Sequence, residues 1–293
     1  MGTTRTGVRA LLALAAAGLL LGLSGCAGAG GGDPAGAAAD VGPEHVHGLG
    51  VNPADGALYI ATHTGLFRMP PGSDGSERVG DRLQDTMGFA VAGPDHFLGS
   101  GHPDLRDGLP PLLGLIESSD AGRSWTPVSL LGEADFHALG VSGSRVVGYD
   151  ASGGRLMASA DRGRRWTPLG TPGEIADLAL DPDDPSRIVA TGDTGVITTT
   201  DGGATWTRLP ADAVVLAWPA AGALYGFDAD GGVAVSRDRG GTWERVGDLG
   251  GEPAAATSTT GGALIVALHD GRIVSSGDGG ASWAEGAWSG QRR

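Results

Sequence analysis

The sequence contains no lysine, and arginine supplies all 20 of its basic side chains against 34 acidic ones. Residues 1–25 hold two arginines and no acid, so the rest of the chain carries 18 arginines, 34 acids and a net charge of −16. Such a chain has no stripe of positive charge that could neutralise phosphates, which excludes nucleic-acid binding. The same acidity disfavours direct attraction to anionic lipid headgroups.

Cysteine occurs once, so no disulfide can form within one chain. That cysteine ends the sequence Leu23-Ser24-Gly25-Cys26, which matches a bacterial lipobox and follows an apolar run at 10–23. The run is too short to be a comfortable transmembrane helix, and Arg5 and Arg9 precede it, as in a secretory signal. We therefore predict that Cys26 is lipidated.

The predicted lipidation of Cys26 divides the chain into three parts. We expect a lipoprotein signal peptide at 1–25, the lipidated cysteine with a flexible Gly/Ala-rich tether at 26–40, and a single domain at 41–293. Lipidation with two or more acyl chains gives stable anchoring. The predicted location is the extracytoplasmic face of the cell membrane, with the lipid as the membrane contact.

Aromatic residues make up only 5% of the chain, yet five of its seven tryptophans occupy one slot of a repeat. The repeat is Ser/Thr-x-Asp-x-Gly-x-x-Trp, and its aspartates are separated by 41, 40, 37 and 40 residues: Asp120, Asp161, Asp201, Asp238 and Asp278. Each copy is typical of a β-hairpin turn in which the Asp accepts backbone N–H groups and the Gly takes a positive φ. The Trp begins the next strand and is expected to pack between neighbouring units.

A strand-rich unit with a period near 40 residues predicts a β-propeller. Six units align, each with four predicted strands, and the first lacks the Asp-containing turn. The predicted fold class is therefore all-β, a six-bladed β-propeller. The unit boundaries are about 45–80, 85–128, 132–170, 174–210, 213–248 and 252–290.

The repeated turn resembles the Asp-box, or bacterial neuraminidase (BNR) repeat. Over about residues 45–290 the chain resembles the Asp-box propellers, which include sialidases, sortilin-type receptors and photosystem-assembly factors. It is most similar to bacterial Asp-box lipoproteins commonly named glycosyl hydrolases. The resemblance implies a propeller whose Asp-boxes lie on the face opposite the active site.

The residues that sialidases and other glycosidases require can be compared with those in this sequence. Sialidases grip a substrate carboxylate with three arginines and use a tyrosine nucleophile. The predicted innermost strands carry no arginine, and the last unit has no tyrosine, so the residues disfavour a true sialidase. Another glycosidase would need two carboxylates about 5–9.5 Å apart, for which the candidates are Asp104, Asp177 and Asp193.

Histidine is the second informative residue type. Aligning the predicted innermost strands makes His47, His137 and Asp177 equivalent, and aligning the ends of the second strands makes His63, His269 and Asp193 equivalent. In an antiparallel blade those two positions lie at one edge. We therefore expect six of the seven histidines on one face, around the channel mouth, and His96 on the other face.

Two kinds of site use such a cluster. Imidazoles with carboxylates bind copper or zinc, for which the predicted ligands are His47, His102 and His137. Alternatively they contact a small molecule or glycan, for which the candidates are His45, His63, Asp104, Asp177 and His269. The insertion 101–113 on this face is typical of a partial lid or specificity loop.

Three functions remain open from the sequence. The first is binding of a ligand or transition metal at the histidine-rich channel mouth, and the second is glycosyl hydrolysis. The third is a role as an assembly or scaffold factor with a protein partner on the same face.

Overall fold

The computed structural model describes residues 42–170, 173–219 and 222–286, all within one compact unit spanning 41–293. The predicted signal peptide, Cys26 and the tether lie outside the described residues. Within the described ranges, no helix has the length and apolar character needed to cross a membrane.

The described chain folds into 24 strands that form six four-stranded antiparallel sheets. Every sheet is built from four consecutive strands, which confirms the predicted six-bladed β-propeller. Blade 1 comprises β1 Val46–Val51, β2 Leu58–Thr62, β3 Gly65–Met69 and β4 Glu77–Arg78. Blade 2 comprises β5 Asp85–Gly93, β6 His96–His102, β7 Leu115–Ser118 and β8 Thr126–Ser129, with a 3₁₀ turn at Leu105–Asp107.

The remaining four blades follow the same order. Blade 3 comprises β9 Phe136–Ser142, β10 Arg145–Asp150, β11 Arg155–Ser159 and β12 Thr167–Pro168. Blade 4 comprises β13 Ile175–Leu180, β14 Ile188–Gly192, β15 Ile197–Thr199 and β16 Thr207–Arg208. Blade 5 comprises β17 Val215–Ala217, β18 Leu224–Phe227, β19 Gly232–Ser236 and β20 Glu244–Asp248. Blade 6 comprises β21 Pro253–Ser258, β22 Leu264–Leu268, β23 Ile273–Ser276 and β24 Ala284–Glu285.

The five Asp-containing turns join the third and fourth strands of blades 2 to 6, and we call them the aspartate turns. In blade 2, Ser118 Oγ accepts from the N–H of Gly122 at 2.8 Å and donates to Asp120 Oδ1 at 2.8 Å. The same Asp120 oxygen accepts from the N–H of Ser124 at 2.9 Å. Gly122 has a φ of 83°, a conformation that favours glycine. The other four turns repeat the carboxylate bond to the residue four positions on.

Six apolar clusters hold the blades together, and each lies between two neighbouring blades. The half-buried Trp of every aspartate turn packs into the cluster between its own blade and the preceding one, as predicted. Trp166, for example, stacks on Phe136 with ring centroids 4.6 Å apart. The ring closes where Leu49 and Ile60 of blade 1 pack with Ile265 of blade 6.

Acid should weaken the aspartate turns. Hydrogen bonds from Ser282 lower the pKa of Asp278 to about 2, and those from Thr242 do the same for Asp238, against an ordinary value of 3.8. A lowered folded-state pKa stabilises the fold fully above about pH 4, and this contribution disappears as pH falls to about 2. We expect the Tm, followed by circular dichroism, to fall between pH 4 and 2. Asp278→Asn should lower the Tm at pH 6 and reduce that fall; a Tm constant down to pH 2 would contradict the assignment.

Candidate functional site

The innermost strands of all six blades surround a central channel cavity of about 560 Å³. Among the sequence candidates, His47, His137, Asp177 and His269 line this cavity. The channel mouth lies at the start of each innermost strand, at the face opposite the aspartate turns.

Strand pairing defines three repeated positions at this mouth. In blade 1, Val46 pairs with Thr62 and Gly48 pairs with Ala61, which leaves His47 unpaired as a β-bulge. The pair just before the bulge serves as the reference. On the first strand, the residue before this pair is the entry position and the unpaired residue after it is the bulge position. On the second strand, the residue after this pair is the turn position. In blade 1 these positions hold His45, His47 and His63.

The same pairing occurs in blades 2, 3, 4 and 6. The entry positions of those blades are all acidic: Asp85, Asp135, Glu174 and Glu252. Their bulge positions hold Met87, His137, Ala176 and Ala254. Their turn positions hold His102, Ala151, Asp193 and His269, so the predicted equivalence of His63, Asp193 and His269 is confirmed.

The predicted equivalence of Asp177 with His47 and His137 is wrong by one residue. Ile175 pairs with Gly192 and Asp177 pairs with Thr191, so Ala176 is the bulged residue of blade 4. Asp177 instead accepts the N–H of Leu178 and, in blade 5, the N–H of Leu216, both at 2.8 Å. Burial raises its pKa to about 6.

Three side chains from two blades converge at the mouth, and we call them the His–His–Asp group. His63 Nδ1 lies 3.2 Å from His47 Nε2 and 2.8 Å from Asp85 Oδ1. His47 Nε2 lies 4.0 Å from the same Asp85 oxygen. Within the described part of the chain, this is the one group of three or more His, Cys, Asp or Glu residues whose ligand atoms all lie within 4.8 Å of one another.

The cluster continues across blades 2 and 3. Asp85 Oδ2 lies 3.3 Å from His102 Nδ1, and His102 Nε2 lies 3.6 Å from Asp135 Oδ2. His137 Nε2 is hydrogen-bonded to that Asp135 oxygen at 2.8 Å. On the other side, the ring of His45 lies 5.3 Å from that of His63. Imidazoles and carboxylates therefore alternate along an arc that spans three blades.

Burial and neighbouring charge act differently on the two bulge histidines. Burial, reinforced by the positive charge that His63 can carry, lowers the pKa of His47 to about 4. His47 is therefore neutral at pH 7 and has a lone pair available for a ligand. The hydrogen bond to Asp135 raises the pKa of His137, which favours its protonated form.

The structure brings His47 together with residues other than the predicted metal ligands. His47 is in the compact group, but His102 and His137 are not, because His102 faces the other oxygen of Asp85 and His137 is hydrogen-bonded to Asp135. Their places are taken by His63, from the turn of the same blade, and by Asp85, from the entry of the next blade. Asp85 and Asp135 were not predicted as site residues, although the acid that begins or directly precedes four of the innermost strands could have indicated them.

Asp104 and Asp193, two of the glycosidase candidates, are engaged by neighbouring backbone. The buried carboxylate of Asp104 accepts the N–H groups of Leu83 and Arg106, both at 2.9 Å, and the Arg106 guanidinium at 3.0 Å. These bonds hold its pKa well below the ordinary range. Asp193 Oδ1 accepts the N–H of Glu174 at 3.0 Å.

The insertion predicted as a lid is tied to the linker between blades 1 and 2. Arg82 pairs with Asp107 at 2.6 Å, and the Arg106 guanidinium donates to the carbonyl of Asp81 at 2.5 Å. This arrangement leaves Leu105 99% exposed and Leu83 54% exposed. The predicted protein partner on this face stays a prediction.

The two remaining histidines lie apart from the group. His269 occupies the turn of blade 6, where its N–H donates to the carbonyl of Glu252 at 3.0 Å. His96 begins β6 on the opposite face, as predicted, with Nε2 3.4 Å from Glu117 Oε2.

Comparison with known proteins supports the fold. No family model matches the chain, and no curated protein matches it. A GH74 enzyme from Niastella koreensis has a TM-score of 0.64 at 17% identity, with 83% of this chain and 45% of that chain covered. A GH74 xyloglucanase from Xanthomonas campestris has a TM-score of 0.55 at 19% identity, with the same coverage of 83% and 45%.

An ancestral GH74 enzyme has a TM-score of 0.54 at 13% identity, with 83% of this chain and 38% of that chain covered. The chain thus spans less than half the length of each of these enzymes. At such identities the similarity establishes a propeller fold shared with glycoside hydrolases, and activity must be argued from the site itself.

Proposed function

We propose that this protein binds one divalent transition metal ion, copper or zinc, through His47, His63 and Asp85. The observation that carries the proposal is the spacing of the three ligand atoms. Ligands that bind zinc tetrahedrally at about 2.0–2.1 Å lie about 3.3 Å from one another. The three separations here are 2.8, 3.2 and 4.0 Å, so the fit requires only small side-chain movements.

The chemistry of the donors supports the same ions. Two imidazoles and one carboxylate suit zinc and copper, and copper binds such nitrogen and oxygen donors more tightly. The low pKa of His47, about 4, removes proton competition for that ligand at neutral pH. All three side chains are partly exposed, which leaves coordination positions for water or an external ligand, as in zinc sites that are not purely structural.

The proposed location is the extracytoplasmic face of the cell membrane, with an anchor on Cys26. Support comes from the lipobox at 23–26 and the Gly/Ala-rich tether that follows it. An ion bound there would be exposed to the extracytoplasmic medium.

Metal content tests the proposal directly. The full chain, purified in detergent without a histidine tag and loaded with copper or zinc, should hold one ion per chain by mass spectrometry. The double variant His47→Ala/His63→Ala should hold none, because two of three ligands are lost. His96→Ala, on the opposite face, is the matched control and should retain the ion. A wild-type chain that stays metal-free after loading would refute the proposal.

The repeat predicts that a second site can be created in blade 2. His102 and Asp135 hold the same turn and next-entry positions as His63 and Asp85, but Met87 replaces the bulge histidine. Met87→His should therefore raise the metal content from one to two ions per chain. Ala176→His, at the bulge of blade 4, has no turn histidine beside it and should leave one ion. A folded Met87→His variant with one ion would show that the three positions do not define the site.

The pKa of Asp177 favours a second candidate, glycoside hydrolysis in the channel. A glycosidase needs a carboxylic acid that keeps its proton near neutral pH, and burial raises the pKa of Asp177 to about 6. Asp177 also lines the channel cavity. In this function Asp177 would protonate the leaving oxygen of a glycan as the glycosidic C–O bond breaks, while a water molecule attacks the anomeric carbon and releases its own proton to solvent.

Chromogenic aryl glycosides test this second function. If Asp177 is the acid, Asp177→Asn should reduce hydrolysis by about 10²- to 10⁴-fold. Wild-type activity should fall as the pH rises above about 6, because Asp177 loses its proton. Asp230→Asn, in an exposed turn of blade 5, serves as the control. Absence of hydrolysis by the wild-type chain across the panel would remove this candidate.

A further inference from the structure

We infer that His102 and Asp135 are positioning residues of the metal site, which hold Asp85 in the orientation that lets it share an ion with His47 and His63. This inference rests on the proposed metal-binding function. It assigns a role to two residues of the arc, His102 and Asp135, that lie outside the His–His–Asp group.

The two oxygens of Asp85 face different partners. Oδ1 lies 2.8 Å from His63 Nδ1, on the side of the proposed ion, whereas Oδ2 lies 3.3 Å from His102 Nδ1. A carboxylate at the end of a strand can rotate about two side-chain bonds. An imidazole beside Oδ2 restricts that rotation and keeps Oδ1 directed at the two histidines.

His102 is itself located by Asp135. The Nε2 atom of His102 lies 3.6 Å from Asp135 Oδ2, so the ring sits between two carboxylates. The side chain of Asp135 is only 6% exposed, and the Oδ2 atom that faces His102 is also hydrogen-bonded to His137 Nε2 at 2.8 Å. Burial and the bond to His137 hold this carboxylate in place, so it presents one fixed acceptor to the imidazole of His102.

The base of this arrangement is rigid. The N–H of Asp135 donates to Asp150 Oδ1 at 3.1 Å, and its carbonyl accepts the N–H of Ala151 at 2.8 Å. Asp150 is fully buried and also pairs with Arg155 at 2.6 Å. A series of side-chain and backbone contacts therefore connects the core of blade 3 to the proposed ion. It runs through Asp150, Asp135, His102 and Asp85.

The repeat explains why His102 and Asp135 support the site and do not form another one. They hold the turn and next-entry positions, as His63 and Asp85 do, but Met87 at the bulge supplies no imidazole. Carboxylate or carbonyl groups that orient metal ligands from behind typically change metal affinity by about 10- to 100-fold when removed.

The test uses copper(II) alone with the full chain in detergent. Affinity is measured by competition with a chelator, and coordinated nitrogens are counted by electron paramagnetic resonance. We expect His102→Ala and Asp135→Asn to weaken copper binding about 10- to 100-fold, while one ion and two histidine nitrogens are retained. His102→Gln, whose amide can still face Asp85, should recover part of the loss. Circular dichroism of the apo proteins shows whether each variant folds.

The possible outcomes distinguish failure of the proposed metal binding from failure of the positioning role alone. If the wild-type chain binds no copper, the proposed function fails and this inference fails with it. If the wild-type chain binds copper and the folded His102 variants bind it equally tightly, only the positioning role is overturned. A third histidine nitrogen in the wild-type spectrum that disappears in His102→Ala would make His102 a ligand, which also overturns it. His96→Ala should match the wild type in every measurement.

Discussion

The constraint on which this molecule depends is that no blade can bury its own faces. Each four-stranded sheet covers its apolar side chains only against the next sheet, and the six apolar clusters accordingly lie between blades. The aspartate turns serve this packing, because each fixes the start of a strand that directs a Trp into the cluster with the preceding blade. Blade 1 has no such turn. Its position in the ring depends on the packing of residues such as Leu49 and Ile60 against Ile265.

Because neighbouring blades pack against each other, the candidate site is also formed by residues of neighbouring blades. The turn of one blade lies beside the entry of the next, as His63 lies beside Asp85 and His102 beside Asp135. A histidine at the bulge completes a three-ligand group only where the turn of that blade also holds a histidine and the next entry an acid. Among the five blades that share the bulge, blade 1 alone meets all three conditions, so an almost sixfold scaffold yields one asymmetric site.

The sequence was sufficient for the fold because its period, its strand patterns and its turn residues act locally within each unit. The site was only partly predictable, for two physical reasons. A β-bulge adds one unpaired residue that hydropathy does not mark, so Asp177 was aligned with His47 although Ala176 occupies that position. In addition, aligning the units reveals only residues at equivalent positions. The His–His–Asp group instead joins different positions of two adjacent units. The residues grouped with His47 are therefore His63 and Asp85, whereas the alignment had selected His102 and His137.

The distribution of charge gives an independent reason to expect a cation at the mouth. Outside the arc, arginines accompany many of the acids: Arg68 pairs with Asp55, Arg155 with Asp150 and Arg272 with Asp270. In the arc, Asp85 and Asp135 face imidazoles. His47, whose Nε2 atom lies 4.0 Å from Asp85 Oδ1, has a pKa of about 4 and carries no charge at neutral pH. A carboxylate beside a neutral imidazole, as Asp85 is beside His47, keeps its negative potential at a concave surface, and such a surface concentrates cations from solution. A metal ion at the His–His–Asp group would supply the positive charge that arginine supplies elsewhere, which links the composition of the chain to its proposed function.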